Sequence, residues 1–287
     1  MAMKRIVVKI GGAVLEEPLG ALFEGLAELQ NTAEVVLVHG GGPQTTEMAA
    51  RLGHSPTIVE GRRVTTDLDL DILLWMIRGQ LNVQLVAEAG THGIRSMGLS
   101  GADGGLVRVT KRPPWIVKGE TIDFGHVGDV EFVDPTPILA LLQAGIMPVV
   151  CPPGVDSAGK LYNVNADTIA LQLFRAIQAD ELLLVTETGS VWDRDKNPIR
   201  RLDASMAKVG VEEGWIVGGM KVKTDIGFEA LSSPTASVSG LGAVPAGAES
   251  QTAGSASKTP SVWILGPESV ATKKRGTQLI RSAHVGT

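Results

Sequence analysis

Two loops rich in glycine follow short apolar strands near the start of the chain. A β-branched run at residues 5–10 ends in Gly11 and Gly12, and a second run at residues 34–39 ends in three glycines at 40–42. Because glycine has no side chain, backbone N–H groups there can approach a ligand closely, and the N-terminus of a following helix adds its dipole. These loops predict anion-binding sites, although tight turns without a ligand would also explain Gly11 and Gly12.

Three charged residues beside such segments are candidates for chemistry. Lys9 ends an otherwise apolar strand, where an unpaired ammonium is costly unless it faces an anion or a carboxylate. Asp167 opens a predicted helix, and Lys223 lies at a glycine-rich helix start that also contains Lys221. Taken singly, Asp167 could be a capping residue and the two lysines a solvated basic end. Together with the glycine loops, they predict anion-binding elements spread along the chain.

The sequence lacks two familiar nucleotide-binding motifs. The stretch from Gly154 to Lys160 has the spacing of a P-loop, but Leu161 follows where that motif needs Ser or Thr. We therefore interpret residues 156–159 as a hairpin turn. No G-x-G-x-x-G follows a predicted strand, which argues against a nicotinamide dehydrogenase. Neither Cys151 nor the five histidines have the spacing of a zinc site.

Composition and charge exclude several classes of protein. Apolar residues make up 44% of the 287 residues, too many for an intrinsically disordered chain, and the length suits one large domain or two lobes. The net charge of −5 provides no basic excess for a nucleic-acid partner. The single cysteine cannot form an intramolecular disulfide, and no apolar run reaches the roughly 18 residues of a membrane span. We expect a cytoplasmic protein with no membrane association.

Strands alternate with helices along the sequence, as in α/β proteins. Between the two glycine-ended strands, residues 19–30 have the i, i+3, i+4, i+7 apolar spacing of an amphipathic helix, which makes a βαβ unit. Helices are also predicted at 134–144 and 166–178, followed by strands at 147–151 and 181–186. This alternation predicts an α/β fold in which a mostly parallel central sheet is covered by helices on both faces.

The longest predicted helix, residues 66–88, is apolar on more than one side. Thr66 and Asp69 have the spacing of a capping box at its start. Leu68 and Trp75 lie on one apolar face, and other apolar residues fill much of the remaining surface. A helix that is apolar on two sides is covered on two sides, so it is either internal or packed between its own sheet and a second subunit.

The order of these motifs resembles that of the amino-acid kinase family. The resemblance covers residues 4–231 and Gly276-Thr277 near the end. The first glycine loop is shared across the wider family, whereas the segments around Arg63 and Asn163 resemble more specifically the branch that phosphorylates N-acetyl-L-glutamate. The motifs that carry the resemblance are Lys9-Ile-Gly-Gly12, His39-Gly-Gly-Gly-Pro43, Gly61-Arg-Arg-Val-Thr65, Gly98-Leu-Ser-Gly101 with Asp103-Gly104, Tyr162-Asn-Val-Asn-Ala-Asp167 and Gly219-Met-Lys-Val-Lys223.

The resemblance implies a role for each candidate residue. Lys9 and Lys223 resemble the two lysines that stabilise the transferring phosphoryl group, and Asp167 resembles the carboxylate that orients both. Arg63 resembles an arginine that grips the α-carboxylate of the acceptor through its bidentate fork. No residue is assigned as a metal ligand. The remaining implied positions are Gly11 and Gly12 for the phosphate, and Gly41, Gly42 and Asn163 beside Arg63 for the acyl amino acid.

The implied activity is transfer of the ATP γ-phosphoryl group, with Mg²⁺, to the side-chain carboxylate of N-acetyl-L-glutamate by a homodimer in arginine biosynthesis. A carboxyl group with an ordinary pKa of ~4.3 is already ionised at neutral pH, so no general base is needed. Two alternatives remain open. One is a kinase for aminoadipate or glutamate attached to a small acidic carrier protein, and the other is a non-catalytic sensor of amino acids or nucleotides.

The resemblance also implies a three-layer αβα sandwich with two lobes. Residues 1–178 would bind the acyl amino acid and dimerise, and residues 179–287 would bind ATP. Departures from the family pattern lie in the second lobe, where the glycine within residues 186–191 comes one place early and residues 232–257 are dominated by small residues. Residues 242–257 have one charge and no aromatic side chain, so we expect a surface loop. The alternative is a lid over the nucleotide.

Overall fold

Short strands are numerous in the described part of the chain, and half of them belong to one large sheet. The computed structural model describes residues 3–60, 62–232 and 260–281. The strands within them are β1 (Lys4–Ile10), β2 (Ala33–His39), β3 (Ile58–Val59), β4 (Arg62–Arg63), β5 (Ser96–Ser100), β6 (Val107–Lys111), β7 (Trp115–Val117), β8 (Glu120–Ile122), β9 (Gly128–Val133), β10 (Met147–Cys151), β11 (Gly154–Val155), β12 (Leu161–Tyr162), β13 (Glu181–Val185), β14 (Arg201–Leu202), β15 (Ser261–Leu265) and β16 (Thr277–Leu279).

The large sheet is parallel except near one edge. Its eight strands lie in the order β14-β16-β15-β13-β1-β2-β10-β5, and among its neighbouring pairs only β15 and β16 run antiparallel. The predicted βαβ unit forms because β1 and β2 pair in parallel along their whole length. On its other side β1 pairs with β13, so strands from the two predicted lobes belong to one continuous sheet. The division into lobes at residue 178 stays a prediction.

Both faces of the central strands are buried. Successive residues of a strand point to opposite faces, and on β1 Ile6 and Val8 belong to one core cluster while Val7 belongs to the other. A parallel sheet covered on both faces has no solvated side, which explains why these strands are continuous apolar runs. The predicted three-layer α/β arrangement is confirmed.

Helices supply the two outer layers. Apolar residues of the helices at 20–30 and 82–91 share a core with Ile6. Those of the helices at 136–143, 166–176 and 218–232 share one with Val7. The helices predicted at 19–30, 134–144 and 166–178 are confirmed, with ends within two residues of those expected. The helical segments are α1 (Gly20–Gln30), α2 (Gly42–Arg51), α3 (Asp67–Leu73), a π-helical segment (Leu74–Leu81), α4 (Asn82–Thr91), α5 (Thr136–Gln143), α6 (Ala166–Ala176), α7 (Ala204–Glu212) and α8 (Gly218–Ser232), with 3-10 turns at Ala13–Glu16, Asp103–Gly105 and Pro267–Ser269.

The long helix predicted at 66–88 is confirmed as one helical run that changes type in its middle. The capping box is formed, since Asp69 N donates to Thr66 Oγ1 at 3.2 Å and Thr66 N donates to Asp69 Oδ2 at 3.1 Å. Residues 74–81 then form a π-helical segment before α4 continues to Thr91. Apolar spacing alone does not distinguish π from α geometry, so the sequence predicted the helix but not its change of type. Such segments are frequent at functional sites.

A second, smaller set of strands was not predicted. The strands β12, β11, β6 and β9 form a four-stranded sheet, and β3–β4 and β7–β8 form two-stranded hairpins. The predicted turn at 156–159 is confirmed because it joins the antiparallel strands β11 and β12. Residues 242–257 lie outside the described residues. Within the described part of the chain, no helix combines the length and the apolar character needed to cross a bilayer.

A buried glutamate links the amino-terminal ends of three neighbouring strands, β1, β13 and β15. Glu181 begins β13, and its Oε1 accepts hydrogen bonds from Lys4 Nζ at 2.5 Å and Ser261 Oγ at 3.2 Å. Lys273 Nζ lies 2.9 Å from Oε2. Burial would raise the pKa of the Glu181 carboxyl, but the two lysines more than offset that effect and hold the pKa below its ordinary value of 4.5.

This depressed pKa predicts an acid-dependent contribution to stability. A carboxyl whose folded-state pKa lies below its unfolded value stabilises the fold above the unfolded pKa, and the contribution is lost as pH falls through the folded-state pKa. We expect Glu181→Gln to lower the free energy of unfolding at neutral pH by about 1.5–3 kcal/mol, the range for hydrogen bonds to charged groups.

Urea denaturation at a series of pH values measures this difference, which should shrink as the pH falls below 4.5. The control is Glu212→Gln, because Glu212 forms an exposed pair with Lys208 at 3.8 Å and such pairs contribute little. A difference that stays constant with pH would show that the charge of Glu181 does not carry the effect.

Candidate active site

A cavity of about 390 Å³ opens where the central strands end and three helices begin. The loops after β1, β2 and β13 meet the first turns of α2 and α6 and the second turn of α8 there. In a parallel sheet the carboxyl ends of neighbouring strands share an edge, which is why residues distant in sequence converge. All nine predicted site residues line this one cavity, although their roles stay predictions. They are Lys9, Gly11, Gly12, Gly41, Gly42, Arg63, Asn163, Asp167 and Lys223.

An ion pair between Lys9 and Asp167 lies in the wall of the cavity. Lys9 Nζ is 2.8 Å from Asp167 Oδ1, and both side chains are largely buried. The helix α6 is capped by Asn165, whose Oδ1 accepts a hydrogen bond from Asp167 N at 2.8 Å. Because Asn165 caps the helix, the Asp167 carboxylate is available to Lys9. The capping interpretation of Asp167 is therefore replaced by a pairing role.

Lys223 enters the same cavity from the second turn of α8. Burial lowers the pKa of its ammonium, and the nearby charge of Lys9 lowers it further, while Asp167 and Glu187 act in the opposite direction. Asp167 thus pairs directly with Lys9 and acts on Lys223 through its charge. Two ammonium groups that repel each other across a cavity favour the binding of an anion between them.

One glycine in each loop, Gly12 in the first and Gly41 in the second, leaves no room for a side chain. A Cβ atom on Gly12 would lie 2.5 Å from Pro43 Cδ. A Cβ atom on Gly41 would lie 2.6 Å from Leu81 Cδ1 and 3.0 Å from Ile77 Cγ1. Leu81 and Ile77 belong to the π-helical segment, so this segment packs directly against the second glycine loop. The loop backbone can therefore line the cavity only if these positions stay glycine.

Arg63 reaches the cavity from the short strand β4. Its Nη1 donates to Asp69 Oδ1 at 3.2 Å, and its Nη2 donates to Thr46 Oγ1 at 2.7 Å. Asn163 lies beside the same segment, since its Nδ2 donates to Thr65 Oγ1 at 3.2 Å. Arg63 thus lies on a strand that the sequence alone did not predict, and the Asn163 amide is anchored at Thr65, two residues after Arg63.

Apolar side chains complete the cavity wall. Leu73 and Ile77 come from the long helical run, and Pro152 and Val164 come from the loops after β10 and β12. A cavity with a few charged groups and an apolar wall is typical of a site for a small molecule.

Two features of the site were not predicted. Glu187, from the loop after β13, lines the cavity as an additional carboxylate in the run whose glycine departs from the family pattern. His39 is fully buried behind the second glycine loop, and burial lowers its pKa to about 4. Asn82 Nδ2 lies 3.0 Å from His39 Nε2, and His39 Nδ1 lies 2.8 Å from Gly40 O. A neutral His39 therefore accepts from Asn82 and donates to the carbonyl of Gly40, which fixes the loop.

Comparisons with known proteins agree with this arrangement. The profile of the amino acid kinase family matches residues 4–238. The acetylglutamate kinase of Anaeromyxobacter dehalogenans is 38% identical over 253 residues, covering 85% of this chain and 94% of that protein. The acetylglutamate kinase of Methanopyrus kandleri is 39% identical over 222 residues, covering 76% of this chain and 87% of that protein.

A solved structure shows the same fold. The crystal structure of smu.665 from Streptococcus mutans UA159 superposes with a TM-score of 0.74 at 20% identity, covering 96% of this chain and 98% of that one. That likeness bears on the fold alone, whereas the profile match spans most of the sequence. From the profile, the relatives and the shared architecture, we conclude that the chain belongs to the amino acid kinase family.

Proposed function

We propose that the chain is an acetylglutamate kinase, which transfers the γ-phosphoryl group of ATP to the side-chain carboxylate of N-acetyl-L-glutamate. The product is N-acetyl-glutamyl 5-phosphate, an intermediate of arginine biosynthesis. The curated relatives at 38% and 39% identity carry this name and match along most of their length. The observation that carries the proposal is the single cavity in which Lys9, Lys223 and Arg63 converge from three elements. Such a cavity suits two anionic substrates.

The chemistry asks for positive charge and orientation more than for proton transfer. The acceptor carboxylate is ionised at neutral pH and can attack phosphorus directly. Its approach to a triphosphate is opposed by charge repulsion, and negative charge on the transferring group must be stabilised throughout. Lys9 and Lys223 supply that stabilisation from fixed positions, with the N–H groups of Gly11 and Gly12 beside them.

The acceptor would occupy the part of the cavity near Arg63. The Arg63 guanidinium has N–H donors beyond the two that bind Asp69 and Thr46, and these can bind an α-carboxylate in a bidentate manner. Asn163, Gly41 and Gly42 would hold the rest of the acyl amino acid. The apolar side chains of Leu73 and Ile77 offer a surface for a small acyl group.

ATP use follows from the family, and we propose that Mg²⁺ accompanies the nucleotide. Asp167 and Glu187 line the cavity, and among the described residues no group of three or more potential ligands is placed to hold a metal. This donor set fits Mg²⁺, which proteins usually hold through one or two carboxylates together with phosphate oxygens and water. When bound, Mg²⁺ would neutralise charge on the phosphates, and Glu187 is the side chain that would help to hold it, because Asp167 is paired with Lys9.

We also propose a cytoplasmic location. The chain has one cysteine, Cys151, which is a buried free thiol. Burial raises its pKa to about 12, so the thiol stays protonated and poorly reactive. Such a residue is compatible with a reducing compartment and needs no disulfide partner.

An ADP-release assay with a panel of acceptors tests the proposed function. We expect turnover with N-acetyl-L-glutamate and none with glutamate, aspartate or aminoadipate. Turnover only with aminoadipate or glutamate attached to a carrier protein would replace the proposal by the carrier-dependent alternative. Binding of nucleotide without turnover of any acceptor would identify a sensor instead.

The two cavity lysines should act mainly on the transition state. Replacing Lys9 or Lys223 with Ala should lower kcat on the order of 10²-fold, as removal of one preorganised donor does elsewhere. The matched control is Lys221→Ala, because Lys221 lies on the same helix but pairs with Asp225 at 2.6 Å and does not line the cavity. Steady-state kinetics measure the kcat of each variant. A kcat of Lys223→Ala within a few-fold of the wild-type value would show that Lys223 does not stabilise the transferring phosphoryl group.

Replacement of Arg63 by Lys should affect one substrate selectively. A point-charge ammonium cannot reproduce two parallel hydrogen bonds to a carboxylate, and a charge-assisted hydrogen bond is worth roughly 1.5–3 kcal/mol. We expect the KM for N-acetyl-L-glutamate to rise about tenfold or more while the KM for ATP stays nearly unchanged. Equal increases in both KM values would place Arg63 outside the acceptor site.

We propose a homodimer formed through the long helical run and the adjacent sheet edge. Leu68, Trp75 and Val83 are 40%, 54% and 54% exposed on this run, spaced seven and eight residues apart. Met97 on the edge strand β5 is 45% exposed, and β5 packs beside α4. An apolar surface of this kind, continuous over a helix and a sheet edge, is typical of a subunit interface.

Replacement of Trp75 by Glu should convert the dimer to a monomer, because a charge at the centre of an apolar interface is costly to bury. Light scattering should then give a mass near 30.1 kDa instead of about twice that value. The control is Ile116→Glu, which alters an 80% exposed residue on the β7–β8 hairpin. A wild-type mass of one chain, or a Trp75 variant that stays dimeric, would contradict this interface.

A further inference from the structure

We propose that Asp69 is a positioning residue that holds Arg63 in its binding orientation and thereby sets selectivity for acceptors with an α-carboxylate. The inference rests on the proposed function. Asp69 is 3% exposed and lines the cavity from the first turn of α3. The capping box explains its presence at this turn but not its contacts beyond the helix start.

Both oxygens of Asp69 are fully engaged. Oδ2 accepts a hydrogen bond from Thr66 N at 3.1 Å, which belongs to the capping box, and another from Thr66 Oγ1 at 2.6 Å. Oδ1 instead lies 3.2 Å from Arg63 Nη1 and 3.1 Å from His54 Nε2. The carboxylate is thus fixed by groups from the helix start, from β4 and from the loop after α2. Oδ2 therefore accepts hydrogen bonds from the helix start, and Oδ1 binds the Arg63 guanidinium.

This carboxylate is ionised at neutral pH. Burial would raise the pKa of Asp69, but hydrogen bonds from Thr66, His54 and Arg63 more than offset that effect and hold the pKa below its ordinary value. An ionised carboxylate in a rigid setting gives the guanidinium a fixed partner.

Arg63 is held from two sides. Asp69 binds Nη1, and Thr46 Oγ1 accepts from Nη2 at 2.7 Å. Thr46 is itself positioned because its hydroxyl lies 2.9 Å from Gly42 O, in the second glycine loop. A long side chain with a single anchor samples several rotamers, whereas two anchors leave one orientation for the remaining N–H donors. Loss of Asp69 would leave only two neutral hydroxyls, those of Thr46 and, at 3.5 Å, Thr45.

Asp69 could act on Arg63 through its charge or by positioning the guanidinium, and these two roles predict opposite changes in acceptor binding when Asp69 is removed. If Asp69 acted only through its charge, it would compete with the α-carboxylate for Arg63, and its removal would tighten acceptor binding. If it positions Arg63, its removal weakens acceptor binding, and only for acceptors whose α-carboxylate Arg63 binds. The buried, fully bonded geometry favours positioning, because the guanidinium retains free N–H donors while it is bound to Asp69.

The test compares two acceptors that differ in one group. N-acetyl-L-glutamate carries the α-carboxylate, and 4-acetamidobutanoate has the same chain and acyl group without it. We expect Asp69→Asn to raise the KM for N-acetyl-L-glutamate about tenfold, the size of one charge-assisted hydrogen bond. The KM for ATP and the kcat/KM for 4-acetamidobutanoate should change little.

Two further variants make the result specific. Asp67→Asn is the control, since Asp67 lies in the same helical turn but its side chain is 97% exposed and contacts His126. In an Arg63→Lys background, Asp69→Asn should add little, because residues that act through one another are not additive. If Asp69→Asn does not fold, Thr46→Val removes the other anchor and should reduce the preference for N-acetyl-L-glutamate in the same direction.

Three outcomes would overturn the inference. Equal losses with both acceptors, accompanied by a lower melting temperature, would assign Asp69 to the helix cap alone. Tighter binding of N-acetyl-L-glutamate by Asp69→Asn would show that Asp69 competes with the α-carboxylate for Arg63. An unchanged acceptor preference in Thr46→Val would show that Thr46 does not hold Arg63 in its binding orientation. A wild-type enzyme without activity on N-acetyl-L-glutamate would instead overturn the proposed function, and this is visible before any variant is compared.

Discussion

The ion pair between Lys9 and Asp167 is the interaction on which the rest of the site depends. It joins the end of β1 to the first turn of α6 at 2.8 Å, in a setting where neither charge is well hydrated. A buried charge is tolerated only when it is paired, and removal of one partner leaves the other uncompensated. This explains how an apolar strand can end in an ammonium group. It also explains why Asn165 caps α6, because the cap leaves the Asp167 carboxylate available to Lys9.

The same principle of paired charge extends over the whole cavity. Lys9 faces Asp167 and Arg63 faces Asp69, while Lys223 lies within the influence of the charges of Asp167 and Glu187. Much of the charge is therefore fixed before a substrate arrives. Preorganised charge is what phosphoryl transfer to a carboxylate requires, since no proton has to move. The cavity wall carries three cations and three carboxylates, namely Lys9, Arg63 and Lys223 with Asp69, Asp167 and Glu187.

Local patterns in the sequence predicted much of this arrangement. The βαβ unit, the glycine loops and the capping box at Thr66 each depend on residues a few positions apart, and each is present in the structure. Contacts between distant residues could not be predicted in this way. Asn82 meets His39 across 43 residues, and Asp69 has the sequence signature of a cap while its second oxygen serves Arg63. The π-helical segment has the apolar spacing of an ordinary helix.

The most direct test of the account is the rate of a single turnover by Asp167→Asn, measured with ATP and N-acetyl-L-glutamate at saturating concentrations. The amide keeps the shape of the carboxylate but removes the charge that fixes Lys9. The account predicts that phosphoryl transfer slows on the order of 10²-fold while the affinity for ATP, measured by calorimetry, changes little. Transfer at the wild-type rate would contradict it, as would a loss of ATP affinity large enough to explain the slower reaction.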